Sequence, residues 1–154
     1  MRRGAIMTNI QNVGTDVKAI KGFVQSFDAA WNARDAEQFS TFFTDDTDMH
    51  FITLGMRMRD KGELVGSYKK IFSELPANVK HMTKIKEIHT IAPGVLFLDG
   101  VTNIIAGDAP GGEVVLRKHT GATILLRTQN GWRIRLMRIW SEPGAAKLKE
   151  NKNH

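Results

Sequence analysis

Cysteine is absent from this chain, which excludes disulfides, thiolate metal sites and cysteine nucleophiles. No run approaches the ~18 continuous apolar residues of a membrane-spanning helix. After Arg2 and Arg3 comes Ile6-Met7-Thr8-Asn9, where a secretory signal needs an apolar run of roughly 7–15 residues. A cytoplasmic location is the expectation, and the missing cysteines suit it. Ligand spacing such as His-Glu-x-x-His is missing, and Gly111-Gly112 lacks the Lys-Ser/Thr of a phosphate loop. Neither a metal nor a cofactor is therefore expected.

What is present fits one globular domain of 154 residues, 42% hydrophobic and 25% charged. The net charge of +6 raises nucleic acid as a partner. Part of that charge sits at the two ends, on Arg2, Arg3, Lys147, Lys149 and Lys152. No nucleic-acid motif accompanies it, so no such partner is expected.

Val17, Ile20, Val24, Phe27 and Trp31 recur at steps of three and four. That stripe predicts a helix over Thr15–Ala33, capped by Thr15 or Asp16. Asp35 and Gln38 resemble a capping box for a second helix, Ala36–Phe43. Thr44-Asp45-Asp46-Thr47-Asp48 reads as a polar breaker, followed by a strand over Met49–Leu54 and a partner over Met56–Arg59. A third helix is expected over Lys61–Leu75, stopped by Pro76. The remainder reads as four long strands: Val79–Ile91, Val95–Ile105, Glu113–Thr128 with a kink at Gly121, and Trp132–Trp140. Residues 1–14 and 143–154 are expected as flexible ends around one domain, 15–142. Helices segregated from a strand meander make the fold class α+β, with about three helices on a strongly curved antiparallel sheet of about six strands.

The stretches Ala30-Trp31-Asn32-Ala33-Arg34-Asp35, Phe42-Phe43-Thr44-Asp45-Asp46, Lys61-Gly62-Glu63-Leu64 and Asn130-Gly131-Trp132-Arg133-Ile134 occur in a telling order. With them, residues 15–140 resemble the nuclear transport factor 2-like superfamily. The chain is similar to its SnoaL-like and ketosteroid-isomerase-like domains, closest to the subgroup named for SgcJ and EcaC. The resemblance implies a cone-shaped domain around a deep cavity, with a homodimer through the outer sheet face. It implies little about chemistry, because the superfamily holds isomerases, cyclases, epoxide hydrolases and association domains. The tyrosine, base and second donor of the ketosteroid isomerases would fall at Phe27, at or beside Phe51, and near Thr123 or Ile124. None is the residue type that machinery needs.

Candidate site residues follow from strand parity. Asp48 and His50 share a face and could form an oriented base, although which face of that strand turns inward stays open. His81 lies opposite the lysine face of its strand, on the expected inner side, where imidazole could handle protons. His89 shares that parity further along and reads as structural, and His119, beside Arg117, reads as a surface residue. Tyr68, on the apolar face of the third helix, could donate into the pocket. His50, His81 and Tyr68 form the catalytic set. Trp31, Asp99, Asn103, Arg138 and Trp140 form the substrate-binding set. Arg138 and Trp140 share parity with Trp132, Ile134 and Leu136 and would stack a flat ligand and bind its negative group, unless a bulge rotates Arg138 outward. The expected function is binding of a hydrophobic, oxygenated small molecule, polyketide- or steroid-like. Acid/base isomerase or cyclase-type chemistry is left open, and the alternative is a dimerisation module with a vestigial cavity.

Overall fold

A computed structural model describes residues 2–107 and 112–144, with side-chain surroundings from Val17 onward. Of the tail expected at 143–154, residues 145–154 lie outside the described residues, while Pro143 closes the last strand. Helix α1 (Arg2–Ala33) begins well before Thr15. No proline interrupts residues 2–14, and Gly4 and Gly14 each cost a helix only about 1 kcal/mol. The expected stripe is buried: Ile20, Val24, Phe27 and Trp31 all face the core.

Arg34 ends this helix in a left-handed backbone conformation (φ 60°). Its guanidinium donates to the carbonyls of Leu75 at 3.0 Å and Val79 at 2.8 Å, and to that of Pro76. One side chain thus ties the end of α1 to the segment after α3 (Lys61–Glu74). Asp35 caps α2 (Ala36–Ser40), accepting from the Gln38 N–H at 3.1 Å. The short helix stops at Ser40, because Phe43 already belongs to β1 (Phe43–Phe51). Asp60 caps α3 by accepting from Glu63 N–H at 2.8 Å, and the Glu63 carboxylate accepts from Arg59 N–H at 2.6 Å.

The stretch Thr44–Asp48 is strand rather than breaker. Thr47 is fully buried and donates to the Ile134 carbonyl at 3.1 Å, while Asp45 and Asp46 point outward to Lys61 and Arg135. Strands β2 (Met56–Met58), β3 (Val79–Ala92), β4 (Val95–Ala106), β5 (Val114–Thr128) and β6 (Gly131–Pro143) complete one sheet, in the order β2-β1-β6-β5-β4-β3. The sheet is mixed rather than wholly antiparallel, since β1 runs parallel to β6. All other neighbours are antiparallel.

The kink expected at Gly121 is absent, for pairing runs unbroken through Gly100, Gly121 and Ile139. The irregularities lie elsewhere. Pairing shifts by one residue at Lys86, Ile91, Leu116 and Arg135. Each extra residue increases the local twist and bends the strand. The curved sheet holds α1 and α3 on its concave side around an aromatic core in which Phe27, Phe39, Phe43, Tyr68 and Phe72 make ring contacts of 4.6–6.0 Å.

Candidate functional site

The core does not fill the concave side. A cavity of about 320 Å³ lies between the sheet and the helices. Its wall is mostly apolar, including Phe27, Phe51 and Ile139, with Gly100 and Gly121 opposite each other where larger side chains would intrude. The three positions aligned with the isomerase machinery, Phe27, Phe51 and Thr123, all reach this wall.

The polar groups of the cavity form a band across β3, β4 and β5. It starts on α1, where Asp28 and Asn32 stand one turn apart and both reach β3. Asn32 brackets the His81 backbone, accepting from its N–H at 2.8 Å and donating to its carbonyl at 3.3 Å. Asp28 accepts from Thr83 N at 2.8 Å and from Thr83 Oγ1 at 2.7 Å, and pairs with His81 Nδ1 at 2.7 Å. Trp31 stacks on the imidazole at 4.8 Å between centroids. With Nδ1 held by the carboxylate, Nε2 is the ring nitrogen left without a partner among the described residues, and His81 lines the cavity.

Thr83 continues the band to Thr102, oxygen to oxygen at 2.9 Å, and Thr102 stands opposite His119 on β5. His119 lines the cavity and meets the edge or face of Phe51 at 5.5 Å. Burial pushes its pKa from 6.5 down to about 4, with repulsion from His81 and Arg117 adding to the shift. Beyond it, Arg117 Nε donates to Ser141 Oγ at 2.7 Å. On the helical side Tyr68 is 3% exposed, and its hydroxyl meets only the Met49 sulfur, at 3.9 Å. Burial pushes this phenol well above its usual range, so it remains a donor.

Of the expected site residues, the structure brings Trp31, Tyr68 and His81 to the cavity. The other five are not on its wall. His50 is half-buried and paired in register with Arg138, whereas its neighbours Met49 and Phe51 turn inward. Asp48 does not orient it. That carboxylate binds Arg57 at 2.7 Å and Arg138 at 3.4 Å. The hydrogen bond from Arg57 holds the Asp48 carboxyl below its ordinary range, against the opposing effect of burial. Asp99 and Asn103 alternate with the inward residues Leu98, Gly100, Thr102 and Ile104. Arg138 and Trp140 are displaced by the extra residue at Arg135, after which Met137 and Ile139 face inward. The shift at Lys86 likewise takes His89 to the other face, where it, Glu87 and Asp99 bring ligand atoms within 4.8 Å of one another.

Asp28, His119 and Arg117 are the polar groups that the sequence reading missed. The signal for Asp28 was its spacing with Asn32, two short polar residues one turn apart beside an apolar stripe. The signal for His119 was its parity with Thr123 and Leu125.

No family model and no curated protein sequence matches the chain. Solved structures do. A Novosphingobium aromaticivorans protein named for scytalone dehydratase is similar over 88% of this chain and 90% of its own, with TM-score 0.74 at 9% identity. A Shewanella oneidensis NTF-2 like protein of unknown function matches over 81% and 98%, with TM-score 0.65 at 15% identity. A ketosteroid isomerase-like protein from Erwinia carotovora atroseptica matches over 79% and 92%, with TM-score 0.60 at 17% identity. The chain therefore has the nuclear transport factor 2-like fold. Nothing in these likenesses reaches the SgcJ and EcaC subgroup.

Proposed function

We propose that the cavity binds a hydrophobic, oxygenated small molecule and that His81, oriented by Asp28, removes a proton from it. The observation that carries this reading is the short Asp28–His81 contact behind a ring that lines an apolar cavity. In this scheme Nε2 accepts the proton, and the Asp28 carboxylate holds the Nδ1–H and stabilises the imidazolium that forms. The Tyr68 hydroxyl, with only a sulfur as partner, donates to the oxygen on which negative charge develops. Proton removal beside a carbonyl serves isomerisation. With a leaving group one carbon further on, it serves elimination, the reaction type that the scytalone dehydratase name denotes for the Novosphingobium protein. The expected polyketide- or steroid-like ligand matches the apolar wall.

The binding half is tested with 2-tetralone, a flat ketone of suitable size, titrated against tryptophan fluorescence. Saturable binding is expected, weakened about tenfold by Tyr68→Phe, the loss of one well-formed hydrogen bond. An absence of saturable binding would contradict the reading.

A second reading concerns the opposite face of the sheet. Met82, Leu116 and Trp140 are 57%, 40% and 43% exposed. Such a surface suits the homodimer expected from the resemblance, and that association would operate independently of the cavity.

A further inference from the structure

We propose that Arg117 is an anion subsite of the cavity, so that the natural ligand is a hydrophobic acid whose carboxylate docks on this guanidinium. The proposal rests on the binding function inferred above and names the class of its ligand.

Arg117 is the one Lys or Arg side chain among the residues lining the cavity, and no Asp or Glu lines it. Among the described residues it makes no ion pair. Other inward or half-buried arginines are matched: Arg138 meets Asp48, and Arg34 spends its donors on three carbonyls. Arg117 spends only Nε, on Ser141 Oγ at 2.7 Å. Ser141 is itself held, its backbone N–H donating to Thr53 Oγ1 at 2.7 Å and its carbonyl accepting from the same hydroxyl at 3.1 Å. The guanidinium is therefore fixed at its Nε edge, with both terminal nitrogens left to a ligand. Two N–H groups in a plane match the two oxygens of a carboxylate.

A cation beside apolar walls is costly without a counter-charge, and a bound anion removes that cost. His119, which lines the same cavity, supplies no negative charge and, being driven towards its neutral form, adds little positive charge to compete for the anion. Arg117 stands opposite Ile104, which in turn stands opposite His81, so the anion subsite and the base share one row of the sheet two strands apart. A flat acid spanning that row presents its body to the apolar wall. The anion-binding role expected of Arg138 moves to a residue four positions before Gly121 on the cavity side of the next strand.

The test compares 2-naphthoate with 2-naphthamide by calorimetry at a pH where the acid is ionised. The wild-type protein is expected to bind the acid about tenfold tighter than the amide, the scale of one charge-assisted bidentate contact. Arg117→Met is expected to abolish that preference, bringing affinity for the acid down to that for the amide, and Arg117→Lys to retain part of it. The wild-type comparison stands even if a variant misfolds. Equal affinities for acid and amide, with 2-tetralone still saturating the cavity, would overturn the anion subsite and leave the binding function in place. A preference that survives Arg117→Met would also overturn it, by locating the anion elsewhere. Failure of all three compounds to bind would overturn both proposals.

Discussion

Asp28→Ala is expected to destabilise the domain by about 3 kcal/mol, measured as a lowered urea midpoint at unchanged slope. The carboxylate accepts three hydrogen bonds, from Thr83 N, Thr83 Oγ1 and His81 Nδ1, all within 2.8 Å. Its side chain is only 17% exposed, so solvent does not readily replace it. Removing it strands donors on β3, at roughly 1–3 kcal/mol for each buried group left unpaired, offset by whatever water enters the space. Asp28→Asn keeps an acceptor for Thr83 N and a partner for its hydroxyl, but faces His81 Nδ1 with less favourable options. It is therefore expected to cost only about 1 kcal/mol. Equal losses for the two variants would show that the three contacts do not hold α1 to β3.

Stability should also fall steeply in mild acid, through His119. Its folded pKa of about 4 lies below the ordinary 6.5. Above pH 6.5 both folded and unfolded chains hold the ring neutral, and His119 contributes no pH dependence. Between 6.5 and about 4 the unfolded chain binds a proton that the folded chain refuses. Unfolding then takes up protons, so stability declines as the pH drops. Below about 4 both states are protonated and the loss is complete, at roughly 3 kcal/mol from this group. His119→Gln removes the titration, and its stability profile between pH 7 and 4.5 is expected to be flatter than that of the wild type. Parallel profiles would mean that His119 titrates alike in both states. Asp48, with its lowered pKa, acts only at more acid pH and does not enter this window.

Much of the architecture was legible because long periodic signals survive local context. The α1 stripe and the first half of the 79–91 alternation, which placed His81 inward, correspond to buried faces. Period-2 reasoning failed where a strand holds an extra residue. Trp132 and Ile134 do face the core, but Arg135 is the inserted residue, and beyond it parity reverses and carries Arg138 and Trp140 out. No residue type marks such a bulge in advance, since its cause is pairing with β5 and not local preference. On β4 both faces are apolar, Leu96 and Leu98 against Val95 and Phe97, so alternation could not say which face Asp99 shares. The Asp45-Asp46 pair read as a breaker because acids disfavour strands in isolation. Here they are exposed edge-on to cations, while Thr47 takes the buried position between.

The most direct test of the account is deuterium exchange at the carbon positions beside the carbonyl of 2-tetralone in D₂O, followed by proton NMR with wild-type protein and with His81→Gln. The account predicts saturable exchange above the buffer rate, slowed on the order of 100-fold by the substitution, the lower end of a positioned base's contribution. Exchange that persists unchanged in His81→Gln, in a protein that still binds the ketone, would contradict it.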